Sequence, residues 1–256
     1  MAPAVAGLGA LVLALAASLS AAAGEELLVA AAASLREPLL EIARLHESAH
    51  PGLRVRLSFG ASSALAAQIR AGAPVDAFLT ADEEIAQALA AEGLVTGVRA
   101  FAANRLVVVA APGLQAPLLR PEDLLRPEVR RIALPAAAVP LGRYAREWLL
   151  GVGLLPELAP RLVQTEDARA TLASVERGSA QAAIVYASDA RLARAGRVAF
   201  APPEAQQPRI AYAAARRRET PRAASALRFL ADLESPASRA ALRAAGLAEA
   251  PPARAP

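Results

Sequence analysis

The chain has 256 residues, 55% of them hydrophobic and 20% charged, which is enough apolar material for one large core or two smaller ones and too much for a disordered chain. Its 28 basic residues are all arginine, scattered against 24 acidic ones, and the formal net charge of +4 gives solubility and no polyanion track. Aromatic residues make up 4%, too few for the stacking surface that single-stranded nucleic acid requires, so no nucleic-acid partner is expected; without cysteine, neither a disulfide nor a lipid-modified cysteine can form.

The first 23 residues, "MAPAVAGLGALVLALAASLSAAA", carry no charged side chain, hold an apolar run from Leu8 to Leu19 and end in small residues suited to cleavage before Gly24. They depart from the secretory pattern only in lacking Lys or Arg ahead of the apolar run. The expectation is a signal peptide over 1–23 and a freely diffusing periplasmic protein, with an uncleaved anchor as the alternative.

The run "LLVAAAAS" then reads as a short strand ending at Ser34, and "LREPLLEIARLHESAH" as a helix with Leu39, Ile42, Ala43 and His46 on one stripe. The unit recurs in "LRVRLSF" with "SSALAAQIRAG" and in "VDAFLT" with "DEEIAQALAAEG", whose Gly72 and Gly93 stand where a helix C-cap takes positive φ. Three such units in a row predict a parallel sheet with covering helices. A second set starts at "RLVVVAAPG" (105–113) and continues through "RRIALP" (130–135), a helix from Leu141 to Leu150, "RLVQ" (161–164), a helix from Ala168 to Arg177 and "AAIVY" (182–186). Two helix-like stretches follow Pro221. The fold expected is α/β with two lobes, 24–104 plus 207–256 forming one and 105–206 the other, with chain crossings near Asn104 and Pro208 and a cleft at the carboxyl ends of the strands.

Ser34 and Ser62 each follow a strand and open a helix. Ser34-Leu35-Arg36-Glu37 fits the S-x-x-E capping box, so Ser34 either caps its helix or, because Pro38 delays the regular helix, stands beside free amides at 34–36. Two hydroxyls with unpaired N–H groups at the positive ends of helix dipoles suit an anion. In the second set "VPLGRYA" and "EDARATL" open helices and expose amides near Leu141 and Ala168. Tyr186, closing "AAIVY", either points its hydroxyl into the same cleft or is an ordinary surface aromatic.

Other chemistry competes for these residues. Gly60-x-Ser62-x-Ala64 is one glycine short of the G-x-S-x-G elbow, which raises a secreted serine hydrolase using Ser62. The chain offers only His46 and His50 as a base, both at the far end of the first helix and roughly 18 Å from Ser34, and no lysine, so the hydrolase is disfavoured. Asp82 reads as the cap of the helix from Glu83, and Asp76 as structural. With no cysteine and two badly placed histidines a zinc site is not expected. Arg216 to Arg218 read as a solvated edge.

The segments "VAAAASL", "SFGASSALAAQIRAGAPVDAFLTAD", "VPLGRYA", "EDARATLASVERG" and "AIVYASDA", in this order from Leu28 to about Leu247, resemble the periplasmic molybdate-binding proteins of molybdate ABC importers. The resemblance implies a two-lobed periplasmic binding protein of the type with two crossings, and a partnership with an inner-membrane ABC permease. It also implies no cofactor, no catalysis, a monomer, and a ligand that is molybdate or tungstate. The implied molybdenum oxyanion ligands are the hydroxyls and amides of Ser34 and Ser62, the amides of Leu141 and Ala168, and the Tyr186 hydroxyl. Leu141 stands where the family often has alanine and Ala168 where it often has valine; since both act through backbone N–H, these changes touch only the pocket wall. About seven donors at 1.5–3 kcal/mol each are enough for tight binding after desolvation and lobe closure are subtracted. A donor-only site favours a fully deprotonated dianion, which leaves sulfate to be rejected by size; a receptor for sulfate or a similar oxyanion is the alternative within the binding class.

Overall fold

The computed structural model describes residues 24–252; the expected signal peptide lies outside the described residues. In chain order these form β1 (Glu25–Ala32), a 3-10 turn (Ala33–Leu35), α1 (Arg36–Ala49), β2 (Leu53–Gly60), α2 (Ser62–Arg70), β3 (Ala77–Thr80), α3 (Glu83–Ala91), β4 (Val95–Asn104) and β5 (Leu106–Ala110). There follow β6 (Ile132–Pro135), α4 (Pro140–Gly151), α5 (Leu155–Leu158), β7 (Leu162–Thr165), α6 (Ala168–Glu176), β8 (Ala182–Tyr186), α7 (Ala187–Ala190), β9 (Arg197–Phe200), β10 (Ile210–Arg217), α8 (Ala223–Asp232) and α9 (Pro236–Ala244). No described helix is long and apolar enough to cross a membrane.

The strands divide into two five-stranded sheets of order β2-β1-β3-β10-β4 and β7-β6-β8-β5-β9. Within the first, β1 runs parallel to β2 and β3; within the second, β6 runs parallel to β7 and β8. The remaining pairings are antiparallel, so the purely parallel sheet expected from three βα units is corrected to a mixed one. The chain passes from the first sheet to the second between Asn104 and Leu106 and returns between β9 and β10.

β4, β9 and β10 are absent from the sequence reading. β10 carries the run "AAA" between Tyr212 and Arg216, and alanine has little strand preference of its own. β4 holds Gly97 at positive φ, and its ladder with β10 shifts register twice. Both strands exist because tertiary pairing holds them. By contrast the α1 stripe is buried as its spacing predicts: Leu39 and Ile42 are fully inaccessible, each such side chain contributing about 1.5–3 kcal/mol of burial. Gly72 and Gly93 end α2 and α3 at positive φ.

Two acidic residues serve the fold. Asp82 caps α3, accepting from the Glu84 N–H at 2.9 Å. Asp76 ties β1 to the C-terminal segment, accepting from the Leu28 N–H at 2.7 Å and from the Thr220 hydroxyl. Of the basic run, Arg217 and Arg218 donate to the carbonyls of Leu94 and Gly93, neutralising the negative end of α3.

Gly142, in the first turn of α4, fixes how closely that helix approaches β6: a Cβ there would lie 2.2 Å from the Ala136 carbonyl oxygen and 2.4 Å from that of Pro135. Both obstacles are backbone and cannot rotate away. Gly142→Ala is expected to displace the α4 N-terminus and lower stability by about 1–3 kcal/mol, measured as a reduced urea midpoint with the slope unchanged.

Candidate functional site

The three parallel strands of each sheet end their carboxyl termini around one small cavity of about 20 Å³. Its wall is built from the turns after β1 (Ser34), β2 (Ser62) and β3 (Ala81), and from those after β6 (Leu141), β7 (Ala168) and β8 (Tyr186). All five residues proposed from sequence therefore meet in one place. No arginine lines it among the described residues. A larger groove of about 350 Å³ is lined by Asp82, Glu83, Glu84 and Arg209, with Glu83 paired to Arg209 at 2.9 Å.

Ser34 is not a helix cap. It sits in the 3-10 turn, α1 starts at Arg36 after Leu35 with no side-chain cap, and the Ser34 hydroxyl lies 2.9 Å from Tyr212 Oη instead. The capping-box expectation fails because the inserted turn carries Ser34 away from the first α-helical amides. Ser62 is the first residue of α2, which also lacks a side-chain cap; its Oγ accepts the Ala81 N–H at 3.1 Å. Leu141 stands second in α4, behind Pro140, which has no N–H to give. Ala168 opens α6, whose cap Asp167 takes the Ala170 N–H at 2.9 Å. The first-turn amides of these helices have no acceptor in the helix backbone, and apart from the Ala170 N–H taken by Asp167 they are left for other partners.

Tyr186 is no surface aromatic: it is fully buried, and its Oη has no hydrogen-bond partner. Burial pushes its ionisation well above the usual tyrosine range, so it is a donor across all physiological pH. An unsatisfied buried hydroxyl costs about 1–3 kcal/mol. At the wall of a cavity ringed by helix N-termini, that hydroxyl is poised for an acceptor supplied by a ligand.

The rim of the cleft carries the arginines that its wall, among the described residues, lacks. Arg143 of α4 reaches over to Asp82 at 2.6 Å, and Arg169 of α6 pairs with Glu37 of α1 while its Nε stands 3.3 Å from the Ala33 carbonyl oxygen. Each contact joins an element of one sheet's layer to an element of the other's and holds the cleft shut.

The hydrolase chemistry has no base here. His46 and His50 face α8, His46 Nδ1 lying 2.6 Å from Asp232 Oδ2 and His50 Nδ1 2.9 Å from the His46 carbonyl oxygen, and neither lines the cavity. The two histidines and Asp232 bring ligand atoms within 4.8 Å of one another, a grouping the sequence reading missed because Asp232 lies 186 residues from His46. Both Nδ1 atoms are already committed to protein partners.

Two sheets feeding helix N-termini into one shared cleft, with no arginine on its wall among the described residues, make a two-lobed solute-binding protein. Residues 27–248 match the family model for bacterial extracellular solute-binding proteins. The molybdate-binding protein ModA of Escherichia coli is 35% identical over 192 residues, 72% of this chain and 74% of that protein; ModA of Mycobacterium bovis is 33% identical over 226 residues, 87% and 84%. The periplasmic molybdate-binding protein of Azotobacter vinelandii superposes with a TM-score of 0.79 at 24% identity, covering 86% of this chain and 98% of that one. The sulfate-binding protein SubI of Mycobacterium tuberculosis shares the fold at the same TM-score, 16% identity and coverages of 89% and 88%. The chain belongs to the ModA family of molybdate-binding proteins.

One titratable group behind the site stands out. Asp189 of α7 is fully buried; Arg169 Nε lies 3.1 Å from its Oδ1 as an ion pair, yet neither carboxylate oxygen has a hydrogen-bond partner. Burial pushes its carboxyl from 3.8 up to about 7, against the pull of Arg169. With the folded value raised, the stability Asp189 contributes is full below its unfolded value and is lost as pH rises through about 7. Asp189→Asn removes this loss, so between pH 4 and 8 its unfolding free energy should gain on the wild type by roughly 2–4 kcal/mol, read from urea denaturation at each pH.

Proposed function

We propose that this protein captures molybdate, and tungstate equally, between its lobes in the periplasm and presents the closed complex to an inner-membrane ABC permease. The lobes are taken as 24–104 with 207–256, and 105–206. The ligand donors are the hydroxyls and amides of Ser34 and Ser62, the amides of Leu141 and Ala168, and the Tyr186 hydroxyl. The protein acts as a monomer, needs no cofactor and catalyses no reaction.

The observation that carries this reading is the buried, partnerless Tyr186 hydroxyl at a cavity lined by two serines and opened by four helix N-termini. A dianion loses its hydration on entering so small a space, and only donors aimed before it arrives can replace that hydration. Hydrogen bonds to a charged acceptor give about 1.5–3 kcal/mol each, against the roughly 8–12 kcal/mol that micromolar to nanomolar binding requires. The ModA relatives support molybdate as the ligand. Sulfate is the second reading, favoured by the fold shared with SubI.

Thermal unfolding of the chain from Gly24 onward, with each oxyanion in turn, tests this. Molybdate and tungstate are expected to raise the midpoint by an amount equivalent to about 2.7 kcal/mol at one hundred times the dissociation constant, with sulfate and phosphate giving none. A shift confined to sulfate would change the substrate and keep the fold. Replacing Ser34 and Ser62 together by alanine should abolish the molybdate shift while leaving the unliganded midpoint within a few degrees; retained affinity would remove both serines from the site.

A further inference from the structure

Behind Ser34 lies a chain of buried polar groups whose proton positions are determined by their partners. Asn104, at the crossing from β4 to β5, receives the Arg105 N–H on its Oδ1 at 2.9 Å and the Ser188 N–H at 3.4 Å. Its Nδ2 is thereby fixed as the donor, and its two hydrogens go to Ser188 Oγ at 2.8 Å and Tyr212 Oη at 3.2 Å. Tyr212 is fully buried, and its Oη has one other partner, Ser34 Oγ. If Ser34 donated to Tyr212, the phenolic hydrogen would be left buried with no acceptor, at a cost of about 1–3 kcal/mol. The Tyr212 hydroxyl therefore donates to Ser34 Oγ. Burial pushes Tyr212 far above the ordinary tyrosine range, so that hydrogen is never lost.

We propose that Asn104 and Tyr212 are positioning residues that set the polarity of Ser34: a one-way chain, Asn104 to Tyr212 to Ser34, occupies one acceptor site of the Ser34 hydroxyl and turns its hydrogen into the cleft. Ser62 has the same polarity by another route, since the Ala81 N–H occupies its Oγ. Asp167, the one carboxylate on the cavity wall among the described residues, caps α6 through its Oδ1. Each serine hydroxyl thus meets the ligand as a donor. With one of the two acceptor sites on each serine oxygen already filled, an oxyanion that keeps a proton, such as hydrogen phosphate, is disfavoured against a fully deprotonated one. Size alone is then not the whole of selectivity: the hydrogen-bond chain disfavours protonated oxyanions, and its far end is anchored on both sides of the lobe crossing, through Tyr212 of β10 and Ser188 of α7.

This inference rests on the proposed oxyanion site, and a double-mutant cycle separates the two. Dissociation constants for molybdate are measured by titration calorimetry for wild type, Tyr212→Phe, Ser34→Ala and the double variant, with hydrogen phosphate as competitor. Tyr212→Phe keeps the ring that packs edge-on against Phe101 and Tyr186. It is expected to weaken molybdate about tenfold in the wild-type background and less than twofold in the Ser34→Ala background, and to narrow the preference for molybdate over hydrogen phosphate. Equal weakening in both backgrounds would make Tyr212 merely structural, and wild-type affinity in Tyr212→Phe would remove it from the site; either overturns the proposal. Wild-type protein that binds sulfate and not molybdate would overturn the substrate while the cycle, run with sulfate, still decides the hydrogen-bond chain. Wild-type protein that binds no oxyanion overturns both.

Discussion

A doubly charged ion taken out of water without a counter-ion has to be met by dipoles already pointing at it, and this constraint organises the molecule. Helix N-termini supply such dipoles, and they can converge only where several strands end side by side. Here β1, β2 and β3 on one sheet and β6, β7 and β8 on the other end around the same cavity. The antiparallel members of each sheet, β10 with β4 and β5 with β9, carry no turn into it; they widen the sheets and conduct the chain between them. Gly142 belongs to the same constraint. Without a Cβ, α4 can seat its first turn against the end of β6, and the Leu141 amide arrives where the cavity is.

The arrangement of arginine follows from it too. The chain has 28 basic residues, none of those described on the cavity wall, and two at the rim are held by acids: Arg143 by Asp82, Arg169 by Glu37 and Asp189. A free guanidinium in the cleft would attract any anion and discriminate poorly, since its strength is charge rather than geometry. Paired at the rim, the same residues contribute to closure and leave recognition to donors of fixed direction.

What the sequence made legible was local. The turn serines, the helix-opening segments and the α1 stripe depend on neighbours a few residues away, and all were readable as such. Leu141, Ala168 and Tyr186 were readable as helix openings and a strand end, and the family resemblance added their joint role at one ligand, a convergence no spacing in the chain discloses. Hidden were features decided at long range: β10, whose alanines become a strand only between β3 and β4; the 3-10 turn that removes Ser34 from its capping box; and Tyr212, 178 residues from the serine it contacts. A hydroxyl's environment, unlike a helix, has no sequence period to announce it. Asn104 shows the intermediate case, visible as a crossing point but not as a hydrogen-bond donor.

The contacts that hold the cleft shut and those that orient its donors share residues, and this couples binding to closure. Arg169 follows Ala168 directly, so the ion pair that spans the rim and the amide that faces the cavity move on one turn of α6. Asn104 likewise joins the crossing to both layers through Ser188 and Tyr212. A ligand that draws the amides of α4 and α6 toward the serines must therefore favour the Arg143 and Arg169 pairs, and by reciprocity those pairs favour the ligand. Opening costs both at once. The proposed release of the anion to a permease then requires a partner that separates the lobes, because separation dismantles the donor set itself and leaves the ion facing water.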